Sequence, residues 1–193
     1  MRGILLVLAG TSGAGKGTVG AKLRARDPRL RWSVSWTTRD ARPGEREGVD
    51  YHFVTRDAFE QLRDAGGFLE WFEVYGDLKG TPRGFVDDEL AAGHDVMLEV
   101  DVQGAQKVKA LVPDALLVFV RVPSRVEQRR RLEARAATTG EAADSIEARL
   151  ARAADEEHIG ATEFDYVVLN DDADRAAAEI AGILENRRKP TRP

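Results

Sequence analysis

The segment that most constrains this chain is Gly10-Thr11-Ser12-Gly13-Ala14-Gly15-Lys16-Gly17-Thr18. It follows an apolar run at 4–9 and opens a helical pattern at 16–25. A G-x-x-x-x-G-K core between a strand and a helix is a Walker A phosphate loop. Its glycines let backbone N–H groups turn inward around phosphate oxygens. The helix N-terminus adds partial positive charge. The expected nucleotide contacts are Ser12, Gly13, Ala14, Gly15, Lys16, Gly17 and Thr18. Lys16 should bridge the β- and γ-phosphates of ATP and neutralise charge as a phosphoryl group moves. One position departs from the usual loop. Gly17 stands where a Ser or Thr hydroxyl would ligate Mg2+, and Thr18, one residue later, could instead bond an α- or β-phosphate.

The strand-then-helix rhythm continues along the chain. Runs at 96–100 and 116–122 are short, continuous and apolar, as strands buried on both faces should be. Tyr166–Leu169 is a fourth candidate and 32–35 a weaker fifth. Helical patterns follow at 103–111, from Ser124 onward, at 144–158 and at 172–187. Ser124 and Glu127 have capping-box spacing. The alternation predicts an α/β fold with a five-stranded parallel sheet flanked by helices. Residues 35–90 break the rhythm with short mixed strands and two short helices. One helix spans 55–65 and ends at Gly66-Gly67. The other begins with Thr81 as N-cap and Pro82 at its first position. The stretch at 131–144 is charged, rich in small residues and expected to be flexible. One domain follows. Its core is 1–34, 91–125 and 156–193, with an inserted lobe at 35–90 and a lid at 126–155.

Composition narrows the chemistry by exclusion. The chain has no cysteine, so disulfides, thiolate zinc sites and cysteine nucleophiles are out. A cytoplasmic setting fits. A net charge of −4 offers no overall basic surface for nucleic acid. Only six of the 29 basic residues are lysine, and the arginines suit planar, bidentate recognition of phosphate. No run is long enough for a membrane span, and 4–9 leads into the phosphate loop with no cleavage site, so no signal peptide is expected. The basic tail at 187–193 is expected to fray.

Residues 33–54, SVSWTTRDARPGEREGVDYHFV, resemble the signature of the guanylate kinase family, roughly S-V-S-x-T-T-R-x-x-R-x-G-E-x-x-G-x-D-Y-x-F. The FLEW, GTP, LEVDVQGA, RLEAR and VLND segments follow in family order, so the resemblance covers essentially the whole chain. It implies a P-loop NTPase fold with a GMP-binding lobe and a lid. It implies Mg-dependent transfer of the ATP γ-phosphoryl group to GMP, and to dGMP. Arg39 and Arg42 can clamp a dianionic phosphate with charge-assisted bonds, and Tyr51 can donate its hydroxyl to the same group. The resemblance places Glu70 against the guanine N1–H and amine, and Ser35 and Thr81 near guanine O6. It places Glu99 near the guanine amine. Asp101 becomes a second-shell acid near Mg2+ and GMP, with the metal held mainly by phosphates and water. Lys79 stands where the family often has a tyrosine that reaches the GMP phosphate; it could supply charge there or point to solvent. Trp36 replaces a small residue and could crowd or shield the guanine pocket.

Arg131 and Arg135 are four apart and share a helical face, matching the family's lid pattern. Arg149 matches a third lid arginine. Phosphoryl transfer needs positive charge at the moving group and exclusion of water, which lid arginines supply on closure. Lys16, Arg39, Arg131, Arg135 and Arg149 are therefore the expected catalytic residues, and Asn170 an adenine-side candidate. The expected partners are ATP and GMP, without nucleic acid or membrane, in a monomer or homodimer. Two rivals share parts of the pattern. One is a non-catalytic protein-binding module of the same fold, against which Lys16 and the lid arginines speak. The other is a kinase for another phosphorylated acceptor, against which Ser35, Glu70, Thr81 and Glu99 speak.

Overall fold

In a computed structural model describing residues 2–42, 44–74, 76–139 and 143–189, the apolar run forms β1 (Leu5–Ala9), buried along its length. It feeds the loop and then α1 (Lys16–Arg26). β2 (Arg31–Trp32), β3 (Trp36–Thr37), β4 (His52–Phe53), α2 (Arg56–Asp64), β5 (Phe68–Val74), β6 (Asp77–Pro82) and α3 (Arg83–Ala91) follow. The chain continues through β7 (Val96–Glu99), α4 (Val102–Leu111), β8 (Leu116–Arg121), α5 (Arg125–Thr139) and α6 (Ala143–Glu163). It ends in β9 (Tyr166–Leu169) and α7 (Ala173–Arg188).

Five strands form a parallel sheet in the order β2-β7-β1-β8-β9. The continuous apolar strands have the physical cause the sequence suggested: both faces of the sheet are covered. Successive residues of β1 point to opposite faces. Leu6 and Leu8 pack with Val19, Leu23 and Ile180, while Leu5, Val7 and Ala9 pack with Leu90, Ala105 and Val108. Each fully buried Leu or Val contributes about 1.5–3 kcal/mol. Because β7 and β8 flank β1 on either side, the strand order switches beside β1. The phosphate loop leaves the carboxyl end of β1 at that crevice, where ligands of open α/β sheets bind.

A second sheet, β4-β3-β6-β5, carries the inserted lobe; β3 pairs parallel with β4, and the other pairs are antiparallel. Phe59, Phe68 and Leu78 form its own small core, with the Phe59 and Phe68 rings stacked at 4.3 Å. α3 then returns the chain to the main sheet by burying Val86 and Leu90 in its core.

Several local expectations are corrected. The strand expected at 32–35 stops at Trp32, and Ser33 to Ser35 cross from one sheet to the other. The helix after β6 has Pro82, not Thr81, as its N-cap. Thr81 stays in the strand because its hydroxyl is taken by the buried Glu70. The helix expected at 144–158 extends to Glu163. The stretch at 131–144 is helical up to Thr139 and again from Ala143, while residues 140–142 of the expected lid tip lie outside the described residues. Pro43 of the signature and residues 190–193 of the basic tail also lie outside them. On β3 Trp36 points opposite to Ser35 and Thr37 and packs edge-on against Phe68 in the lobe core.

Candidate active site

The phosphate loop is held open by its outward-facing groups. Gly15 caps α1 in the left-handed region (φ 82°), where a Cβ would fall 2.5 Å from Asn170 Nδ2. Only glycine meets both demands. Ser12 O accepts from Gln128 Nε2 at 2.8 Å, and Ser12 Oγ accepts from Arg149 Nη1 at 2.9 Å. Ala14 O accepts from Asn170 Nδ2 at 2.7 Å and from Arg131 Nη1 at 3.3 Å. Arg131 also donates to Asn170 O at 2.9 Å and to Glu127 at 2.7 Å. Hydrogen bonds from Arg130 and Arg131 lower the Glu127 pKa to about 2, so it stays a fixed counter-ion. The Ser12 and Ala14 carbonyls are thus tied outside the loop, while the Ala14 N–H donates to Thr11 O within it at 3.1 Å.

Lys16 lies within this ring and donates to Gly10 O at 2.8 Å and Thr11 O at 3.3 Å. Burial pulls its pKa below the usual lysine value, while the Glu99 and Glu156 carboxylates pull it back up. Among the described residues, no set of three or more His, Asp or Glu side chains closes into a metal cage.

Beside the loop opens a cleft of about 790 Å³. Gly17 and Glu99 form its core wall; Ser35, Glu45, Tyr51 and Lys79 form its lobe wall. Behind Tyr51, Arg39 lies 5.0 Å from the ring and makes two bonds to Glu45, at 2.6 and 2.7 Å. The Lys79 ammonium is also 5.0 Å from the Tyr51 ring. Lys79 therefore faces the cleft rather than open solvent.

A third group is buried behind the lobe. Glu70 is 3% exposed. Its Oε1 accepts from Thr81 Oγ1 at 2.6 Å, and its Oε2 finds no hydrogen-bond partner among the described residues. Burial raises its pKa, opposed by the Thr81 hydrogen bond. Asp101 caps α4 by accepting from Gly104 N at 2.7 Å. A Cβ built on Gly104 would lie 3.2 Å from Asp101 Oδ1 and 3.4 Å from Glu70 Oε2, so the two carboxylates converge on one point.

The structure thus gathers Ser12 to Lys16, Arg131, Arg149 and Asn170 around the loop, and Ser35, Arg39, Tyr51, Lys79 and Glu99 around the cleft. Glu70, Thr81 and Asp101 form the third group. Asn170 acts here as a clamp on Ala14. Gly17, Thr18, Arg42 and Arg135 are exposed. Sequence reasoning missed Glu45, Gln128 and Glu156. Glu45 stood in the quoted signature without a role. Glu156 is two helical turns beyond Arg149, a spacing that could have found it. Gln128 is fully buried, and nothing in its sequence context marked it.

A guanylate kinase family model matches residues 2–187. The guanylate kinase of Symbiobacterium thermophilum is 46% identical over 95% of this chain and 85% of its own length. That of Thermus thermophilus is 49% identical over 98% of this chain and 84% of its own length. The crystal structure of guanylate kinase from Anaplasma phagocytophilum superposes with a TM-score of 0.78 at 35% identity, covering 98% of this chain and 88% of that one. A shikimate kinase from Acinetobacter baumannii, at 19% identity and a TM-score of 0.53, shares the fold alone. The chain is therefore a member of the guanylate kinase family, nucleoside monophosphate kinases that phosphorylate GMP.

Proposed function

We propose that ATP sits on 12–18 and GMP in the 35–90 lobe, so that a GMP phosphate oxygen attacks the γ-phosphorus in line. The core (1–34, 91–125, 156–193), the lobe and the 126–155 lid are the working parts. GMP's phosphate is already ionised at neutral pH, so neither a protein nucleophile nor a strong base is required. Catalysis is alignment and charge neutralisation. Lys16 meets the β- and γ-phosphates. Arg131, Arg135 and Arg149 cover them from the lid, with Asn170 on the adenine side. Arg39, Arg42, Tyr51 and Lys79 take the GMP phosphate; Ser35, Glu70, Thr81 and Glu99 select guanine.

The observation that carries the guanine reading is the Glu70 carboxylate, buried with one oxygen on Thr81 and the other unpartnered among the described residues. A buried acceptor of this kind is costly until a donor arrives. Guanine offers two adjacent donors, N1–H and the 2-amino group; adenine offers no N1–H.

The residues near Lys16 also fit a divalent cation. Asp101 is a hard oxygen donor beside Lys16, which suits an outer-sphere contact to Mg2+ held mainly by phosphates and water. Asp101 would hold it through water, and when bound the ion supplies neutralisation of phosphate charge. This reading implies an enzyme of purine nucleotide metabolism in the cytoplasm, acting on dGMP as well.

A coupled assay across GMP, dGMP, AMP, UMP and ribose phosphates tests the assignment. Turnover should be confined to the two guanine nucleotides, and Lys16→Ala should lower it by orders of magnitude. Near-normal turnover in that variant would break the mechanism.

A further inference from the structure

Glu156 has no part in the chemistry above. It lies on α6, the helix that also carries Arg149. Arg149, Ala153, Glu156 and Gly160 follow at spacings of four, three and four, which places them on one helical face. The contacts at both ends of this face are fixed. Arg149 donates to Ser12 Oγ at 2.9 Å. Gly160 backs so closely on β8 that a Cβ would fall 2.4 Å from the Phe119 ring. Ala153 between them is fully buried. Glu156 is thus half-buried on the helical face that runs from the phosphate loop to the sheet. There it interacts electrostatically with Lys16 and Asp101, and with Arg152 on its own helix.

Lys16 therefore has carboxylate neighbours from two different elements. Glu99 belongs to β7, and its Oε2 lies 3.5 Å from where a Cβ on Gly17 would stand. Glu156 belongs to α6, one residue past the stretch of that helix assigned to the lid. The ammonium itself turns back onto the carbonyls of Gly10 and Thr11. A cation compensated in this way is stabilised with no phosphate present, and an arriving polyphosphate must compete with those carboxylates.

We propose that Glu156 is a positioning residue: it is the counter-charge on α6 that keeps Lys16 retracted on the loop carbonyls until polyphosphate displaces it. Nucleotide occupancy and the seating of α6 then become one linked equilibrium, because the charge that releases Lys16 also frees Glu156. The inference rests on the assignment of Lys16 to the donor phosphates.

The test is calorimetric titration of the full chain with inorganic tripolyphosphate in EDTA, which removes metal and acceptor from the question. Glu156→Gln keeps the shape and removes the charge. It should bind tripolyphosphate about fivefold tighter or more, the lower end of usual coupling between sites. Glu156→Asp should fall between Gln and the parent. Glu156→Gln should gain nothing in a Lys16→Met background, since the coupled partner is gone. Unchanged or weaker binding in Glu156→Gln overturns the proposal, as does an equal gain with Lys16 absent. If Glu156→Gln does not fold, as judged by thermal melting, Glu156→Asp decides: affinity equal to or below the parent overturns it. A chain that bound tripolyphosphate as described but failed to phosphorylate GMP would sink the functional assignment alone.

Discussion

Glu70 is buried with one oxygen satisfied and the other waiting, and desolvation pushes its pKa above the usual carboxylate range. In a Glu70→Gln variant the Thr81 contact can persist, but one guanine donor loses its charged acceptor. Charge-assisted bonds are worth about 1.5–3 kcal/mol, so KM for GMP should rise about 10- to 100-fold while KM for ATP stays near the parent value. Steady-state kinetics with each substrate varied in turn reads this. The pH dependence follows from the raised pKa. Below it the carboxyl is protonated and one acceptor is lost, so kcat/KM for GMP should fall on the acid side at a pH above the ordinary glutamate value. For stability the sign is opposite. The folded state holds this proton more tightly than the unfolded chain, so the contribution is present at low pH and lost as pH rises through the raised value. Arg39 shows a related principle. Its guanidinium is already held by two bonds to Glu45, so a second anion arriving there must share it or exchange with that carboxylate.

At the scale of elements, Arg188 near the end of α7 ties three parts of the chain together. Its guanidinium meets Asp27 just beyond α1 at 2.5 Å and Asp95 just before β7 at 2.6 Å. Asp95 also accepts from the Ile4 backbone N–H at 2.7 Å, at the entry to β1. The two aspartate side chains are only 11% and 10% exposed, so removing the cation takes this ion pair from Asp95 and leaves Asp27 with Arg29. Arg188→Met should cost about 3–5 kcal/mol in urea unfolding near neutral pH. Burial pushes the Asp27 pKa up, but the Arg29 and Arg188 hydrogen bonds outweigh it and leave it below the ordinary value. That stabilisation is therefore present above the ordinary aspartate pKa and lost as pH falls through the lowered one. Parent and variant stabilities should converge on acidification, and a constant gap would contradict the ion-pair account. A sequence reading that left the tail to fray had no means of seeing this clamp, because its partners lie 161 and 93 positions away along the chain.

Across the whole molecule, the two sheets and the α5–α6 helices present their charged groups to a common region around the loop and the cleft. If transfer requires the lobe and lid to close on both substrates, GMP with a non-hydrolysable ATP analogue should reduce the radius of gyration in small-angle scattering more than either ligand alone. Equal curves in all states would rule closure out. By itself the sequence determined the parts that depend on local pattern. Short continuous apolar runs had to be strands buried on both faces, G-x-x-x-x-G-K had to be a phosphate loop, and the long 33–54 signature pointed to the family. Only the tertiary structure decided what depends on distant neighbours. Thr81 is a strand residue because Glu70 claims its hydroxyl; Trp36 faces the lobe core because β3 alternates that way; Gln128 and Glu156 meet the loop from 116 and 140 residues away. Strand and helix periodicities are set by backbone geometry within a few residues. Hydrogen-bond partners, burial and electrostatic neighbours are set by packing, and packing joins segments that no local window contains.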